Sequence, residues 1–172
     1  MMNFYMYYNQ KEKLANSEIM TALMEFRNIR FDDEKVKEKI KPILHIIKKT
    51  PRHAYMYARY VMNGRWPEAE PYIIPDAYYA YVYTDTVIKE RWPEAEHVIM
   101  RSAGVAYTYA KNIIGGRWSE AEPYIMKVPR HAYFYARDVI KGRWLEAEPT
   151  ILKGDSVFGK STWKEYCTVF GI

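Results

Sequence analysis

The stretch Gly64-Arg65-Trp66-Pro67-Glu68-Ala69-Glu70-Pro71-Tyr72-Ile73 decides the fold, because it returns three times. The copies occupy residues 90–99, 116–125 and 142–151, and their arginines, Arg65, Arg91, Arg117 and Arg143, stand 26 residues apart with no insertion. A second motif, Ala-Tyr-x-Tyr-Ala, precedes each copy at one fixed offset. It begins at Ala54, Ala80, Ala106 and Ala132, with Thr84 closing the second copy in place of alanine. Two motifs locked to one period are the signature of stacked repeats, in which each unit packs on its neighbours rather than around one central core.

Within a repeat the pattern predicts helix, tight turn, short helix. Helix A of the first copy spans about residues 53–62. At 100° per residue it gathers Ala54, Tyr55, Tyr57, Ala58, Val61 and Met62 on one broad buried face, with Met56, Arg59 and Tyr60 opposite. Asn63-Gly64 ends it, the glycine being the residue expected to take the left-handed cap. Pro67 suits the first turn of helix B, and Glu68 and Glu70 sit where the helix dipole favours negative charge. Trp66, Ala69 and Ile73 then share the face that packs back on helix A. Pro71 clashes with a regular helix, so helix B is expected to be short or distorted, and straighter in the second copy, where His97 replaces the proline.

The flanks read as caps. Residues 11–28 have amphipathic helical spacing. Ile40, Ile43 and Ile47 align with Trp66, Ala69 and Ile73 one period on, so residues 1–51 form an arm and a degenerate repeat, divided by Pro42. Near the other end, Thr162-x-x-Glu165 reads as a capping box, with Trp163, Tyr166, Cys167 and Phe170 on one helical face. Cys167 is expected there as a small buried hydrophobe. The fold class is therefore all-α: a short α-solenoid of four helix-turn-helix repeats over residues 52–155, with capping helices at 1–51 and 156–172.

Composition narrows the function. Of 172 residues 49% are hydrophobic and 16% aromatic, which places the chain far from disorder. The net charge is +5, but the repeats carry nearly equal numbers of basic and acidic side chains, finely mixed along the sequence. A chain built to neutralise phosphates would concentrate Lys and Arg on its binding element, so nucleic acid is not the favoured partner. A single cysteine forbids an internal disulfide, no Cys/His spacing suggests zinc, and no metal or cofactor is implied. Neither a signal peptide nor a membrane span is read, and the expected compartment is the cytoplasm.

Ala-Tyr-x-Tyr-Ala followed by Gly-Arg-Trp-x-Glu-Ala resembles the helix-turn-helix of tetratricopeptide and Sel1-like repeats, shortened from a period of about 34 residues. Tandem Gly-Arg-Trp-Pro-Glu-Ala-Glu modules are also similar to repeat proteins encoded by tailed bacteriophages. The resemblance covers residues 52–155. It implies a protein-binding scaffold with no catalytic residue, and the phage likeness implies a host protein as partner, in the host cytoplasm.

The recurrent Arg65/Trp66, Arg91/Trp92, Arg117/Trp118 and Arg143/Trp144 are read as structural, since nearest-neighbour stacking needs the same joint each time. Paired glutamates in an exposed turn have nothing to drive their pKa values apart, so they are not read as catalytic. The tyrosine pairs at 55/57, 81/83, 107/109 and 133/135 are read as core, both members buried, rather than as stacking platforms for bases. His53 and His131 precede helix A at equivalent positions and are read as cap or surface residues. Binding should fall where the copies differ, on the outward ridge of helix A: Met56, Arg59, Tyr60, Val82, Asp85, Lys111, Phe134 and Arg137. Single-stranded nucleic acid and a sequestered small molecule are the alternative ligands. The aromatic arm Phe4 to Tyr8 suggests self-association.

Overall fold

The computed structural model describes residues 41–154 and 162–172. The aromatic arm, the helix read over residues 11–28 and most of the degenerate repeat lie outside the described residues. Two compact units divide the chain, Met1–Ile73 and Ile74–Ile172, so the first full repeat belongs to the N-terminal unit. Among the described residues the regular structure is entirely helical.

In the N-terminal unit, a 3₁₀ turn over Lys41–Ile43 contains Pro42 and leads into α1, Leu44–Ile47. Ile47 is buried, as the alignment with Ile73 expects. Helix α2 (Pro51–Tyr57) and helix α3 (Glu70–Ile73) pack together as the first hairpin. The C-terminal unit repeats that hairpin three times. Its helices are α4 (Ala77–Tyr83) with α5 (Pro93–Ile99), α6 (Ala103–Tyr109) with α7 (Glu122–Ile125), and α8 (Pro129–Tyr135) with α9 (Glu148–Lys153). Helix α10 (Thr162–Phe170) packs on α8 and α9. Together these hairpins make an all-α, solenoid-like repeat fold.

The layers meet through small residues. Ala80, Ala106 and Ala132 are fully buried, as are Ala95, Ala121 and Ala147 on the facing helices. Side chains without a γ carbon let the backbones approach, and Trp92, Trp118 and Trp144 with Ile99, Ile125 and Ile151 fill what remains. Where helix B carries the proline it starts only at the glutamate before it, so α3 and α7 last four residues and α9 six, whereas α5, with His97 in place of proline, starts three residues earlier at Pro93 and runs for seven.

Helix A departs from the expected regular helix. Its last turn is a π-helix in every copy, over Ala58–Met62, Thr84–Ile88, Ala110–Ile114 and Ala136–Ile140. The carbonyl of Ala110 accepts from the amides of both Gly115 (2.9 Å) and Gly116 (3.3 Å), so the turn closes five and six residues on. A widened turn advances each residue by less than 100°, which rotates Met62 off the buried face and leaves it exposed. The left-handed cap is also one residue earlier than expected. Asn63, Lys89, Gly115 and Lys141 hold positive φ, between 50° and 72°. Gly64, Gly116 and Gly142 do not, and nothing lies within 4 Å of where a Cβ on Gly116 or Gly142 would stand.

Candidate functional site

Two sets of side chains repeat through the C-terminal unit, one inside the joint between layers and one along the outer ridge of helix A. The joint uses the recurrent motif. Arg91 holds Glu96 through two parallel hydrogen bonds, Nε to Oε1 (2.9 Å) and Nη2 to Oε2 (2.8 Å). The same fork pairs Arg117 with Glu122 and Arg143 with Glu148, and in the N-terminal unit Arg65 with Glu70. Each pair lies within one repeat, five residues apart. The other glutamate of the motif, at 68, 94, 120 and 146, is exposed in every copy.

The second tyrosine of helix A ties one layer to the one before. The Tyr109 ring packs on Trp118 of its own repeat, with centroids 5.2 Å apart. Its hydroxyl reaches back, accepting from the Trp92 backbone N–H at 2.9 Å and donating to Glu96 Oε1 at 3.0 Å. Tyr135 repeats this with Trp144 beneath its ring and Trp118 N–H and Glu122 at its hydroxyl. Tyr166 on α10 does the same to Trp144 N–H and Glu148. Burial, with the nearby glutamate adding, pushes the Tyr109 and Tyr135 hydroxyls up to about 12. The Arg143 guanidinium and the Tyr166 hydroxyl hold Glu148 below its ordinary value.

The first tyrosine of each pair is not core throughout, contrary to expectation. Tyr55, Tyr81 and Tyr107 are half-buried and only Tyr133 is buried; the hydroxyls of Tyr81 and Tyr107 reach along the outer ridge. Asn112 Nδ2 donates to Tyr81 Oη at 2.9 Å, and Tyr107 Oη donates to Asp138 Oδ2 at 2.5 Å. Both links span 31 residues, one period plus five, and so form a second ladder between layers. Asp138 also takes Lys111 Nζ (2.8 Å) and Arg137 Nε (2.6 Å). Arg137 before all others holds this carboxyl well below the usual range, against the opposing effect of burial. The Arg137 guanidinium also lies over the rings of Tyr133 and Phe134, and Arg130 covers Phe134 at 5.4 Å.

The residues read as an outward ridge are thus more enclosed than expected. Met56, Arg59 and Tyr60 in the N-terminal unit are half-buried, as are Val82 and Phe134 in the other. Asp85, Lys111 and Arg137 are exposed, but the last two are already paired with Asp138. Among these three, Asp85 alone carries no ion pair among the described residues. Asn112 and Asp138, variable positions of the same stripe, form a polar framework with Tyr81 and Tyr107, which were read as core. A 26-residue period shows which residues are equivalent but not which register one layer takes on the next.

The histidines and the cysteine correct the sequence reading. His53 is buried rather than a surface cap, and the His131 ring is half-buried against Gly104, where a Cβ would stand 2.9 Å from Cε1. Each Nδ1 is buried without a hydrogen-bond partner among the described residues. Burial, with the neighbouring Arg52 or Arg130 adding, lowers both imidazole pKa values. Cys167 is half-buried, because Tyr166 takes the inward position of α10. Among the described residues no three of His, Cys, Asp and Glu are placed to share a metal ion, and no helix is long and apolar enough to cross a membrane.

Architecture and site together define the class: an all-α helical-repeat protein whose recurrent chemistry is spent on joining its own layers. No family model matches the chain, and no curated protein or solved structure matches it either.

Proposed function

We propose that this chain is a non-enzymatic protein-interaction scaffold, presenting the variable ridge of helix A to a protein partner. The observation that supports the reading is the saturation of the recurrent groups. In the C-terminal unit each motif arginine is occupied by its glutamate, and the hydroxyls of Tyr109, Tyr135 and Tyr166 are occupied by the tryptophan amide and the same glutamate. Groups held in this way are committed to architecture, which leaves recognition to the positions that vary between layers. The buried rings of Tyr83, Tyr109 and Tyr135 also count against base stacking as the mode of binding. On the likeness to phage repeat proteins, the partner is a host protein that binding inhibits or redirects.

The test uses two baits, the wild type and a variant with Asp85→Lys and Arg137→Glu, both checked for helical content by circular dichroism. A protein captured from lysate is repurified and titrated calorimetrically. A one-to-one complex with the wild type, weakened at least tenfold by the variant, is the expected result. Retention of nucleic acid alone, or of no macromolecule, would overturn the scaffold reading.

A further inference from the structure

The four π turns close helix A by one geometry, but the first is built on a reactive pair. Asn63, Lys89, Gly115 and Lys141 stand in the left-handed position, and the residues that follow them are Gly64, Glu90, Gly116 and Gly142. Asn63-Gly64 is the single Asn-Gly pair in the chain. Such a pair reacts with itself. The backbone nitrogen of the glycine attacks Cγ of the asparagine side chain, ammonia leaves, and a five-membered succinimide ring forms. Water then opens the ring at either carbonyl and leaves aspartate or isoaspartate, the latter with its side-chain carbons in the main chain. Water is the sole co-reactant. Glycine is the residue that allows this most readily, because it has no side chain to shield its nitrogen.

Asn63 is exposed, and its side chain makes no hydrogen bond among the described residues. Exposure alone would leave it reactive. The turn holds it back in two ways. With φ 50° and ψ 39°, the Gly64 nitrogen is turned to the side of Cα opposite Cβ, so the side-chain carbon and its attacker point apart. Ring closure needs the two on one side. The Gly64 N–H is also committed, because the Ala58 carbonyl accepts from it at 3.1 Å and from the Asn63 amide as well. The nucleophile is thus both misdirected and hydrogen-bonded. Both locks belong to one backbone turn, and rotating ψ to bring the pair together breaks the bond to Ala58, so local opening releases them at once.

We infer that Asn63 is a one-way modification site gated by the first π turn: closed, the pair is inert, and each opening exposes it to conversion into isoaspartate or aspartate. The aspartate product can resume the left-handed position, which Asp tolerates as Asn does. The isoaspartate product cannot rebuild the turn. Its main chain is one methylene longer between the Asn63 and Gly64 amides, the two donors that share the Ala58 carbonyl. The same turn brings Trp66 onto Tyr57, with ring centroids 4.8 Å apart, so the damage falls on the first hairpin. Conversion therefore records how often that hairpin has opened. The other three turns, which carry no asparagine, keep no such record. None of this depends on the reading that a foreign protein binds the ridge of helix A.

Peptide mapping by mass spectrometry tests this on the full chain in mildly alkaline buffer, against a synthetic peptide of residues 58–68 and against the chain unfolded in urea. The native chain should convert Asn63 more than about tenfold slower than the peptide, because the open fraction of the turn multiplies the rate. The unfolded chain should match the peptide within about twofold. Lys141→Asn tests the geometry itself. It places a second Asn-Gly pair in a turn with φ 58° and ψ 37°, where the Gly142 amide donates to the Ala136 carbonyl at 3.2 Å. That pair should be protected in the folded variant, checked by circular dichroism, and fast in the unfolded one. Chain converted at Asn63 in urea and then refolded should unfold at lower urea than Asn63→Asp, which stands for the aspartate product. Native conversion as fast as in the peptide, a folded Lys141→Asn that converts at the peptide's rate, or equal urea midpoints for the converted chain and Asn63→Asp would each overturn the inference.

Discussion

Replacing Tyr109 by phenylalanine isolates the joint between layers. The ring stays on Trp118 and only the hydroxyl goes, so packing is held constant. What is lost is the acceptor for the Trp92 amide and the donor to Glu96, at 2.9 and 3.0 Å. Glu96 keeps both bonds from Arg91, so its loss is partial. The Trp92 amide sits at a buried position, and a buried donor left unsatisfied costs about 1–3 kcal/mol. The expected destabilisation is about 2 kcal/mol, which moves a urea midpoint by roughly 1 M for a domain of this size. Tyr135→Phe should cost the same, since its hydroxyl makes the same two bonds. Tyr124→Phe is the control: that ring is half-buried under the Lys127 ammonium, and its change should stay within about 0.5 kcal/mol. Alkali supplies a second readout. Both joint hydroxyls titrate near 12 in the folded protein, above the ordinary value of 10. Their contribution is whole below pH 10 and is lost as pH rises from there through 12, and each Phe variant should lack its share. Equal midpoints for Tyr109→Phe and Tyr124→Phe would refute the joint.

Two further perturbations follow from the backbone and the buried imidazole. Lys89 and Lys141 hold φ of 64° and 58°, where glycine is at home and lysine is strained. Lys89→Gly and Lys141→Gly should each stabilise the C-terminal unit, by about 0.5–1 kcal/mol in denaturant titrations, whereas Gly115→Ala should destabilise it by a similar amount. Loss of stability in both lysine variants would contradict this. For His131, burial lowers the folded pKa, so its contribution is present above the unfolded value of 6.5 and is lost as pH falls through the folded value. The thermal midpoint should therefore fall between about pH 7 and pH 5, less so in His131→Leu. The paired Asp138 and Glu148, whose pKa values are lowered instead, lose their share only below about pH 4. Identical pH slopes for the two proteins would remove His131 from the account.

How much of this was legible depended on whether the cause was local. Pro71 shortening helix B, and His97 lengthening it, were readable because a proline ring acts on its own turn. The burial of Trp92, Ala95 and Ile99 followed from helical period alone. The π turn was not legible, since nothing in Val-Met, Val-Ile or Ile-Ile distinguishes a widened turn from a regular one. Missing it displaced the cap by one residue, from Gly64 to Asn63, and placed Met62 on the wrong face. The enclosure of the ridge was hidden for a different reason. Lys111 and Arg137 vary between copies as a binding surface would, yet both meet Asp138, and one of those meetings crosses 27 residues. Variation between copies marks positions free of the repeat's common chemistry, and such positions are open to a private contact between two layers as well as to a ligand.

The C-terminal helix shows which of these relations the fold obeys. Tyr109 and Tyr135 each lie 17 residues after the tryptophan amide they cap, whereas Tyr166 lies 22 after Trp144, an excess of five residues. The hydroxyl nevertheless finds the same amide at 2.7 Å and the same glutamate oxygen at 3.0 Å. The Arg-Trp-Glu motif and the period are both absent from this segment, so sequence alignment sees only a capping helix. What persists is a single tyrosine facing inward, with Trp163 stacked on its ring in place of the usual tryptophan partner. Toward α9, helix α10 thus plays the part of a helix A. Its tyrosine supplies the acceptor that the buried Trp144 amide needs and the donor that Glu148 takes, so this joint is satisfied as the others are.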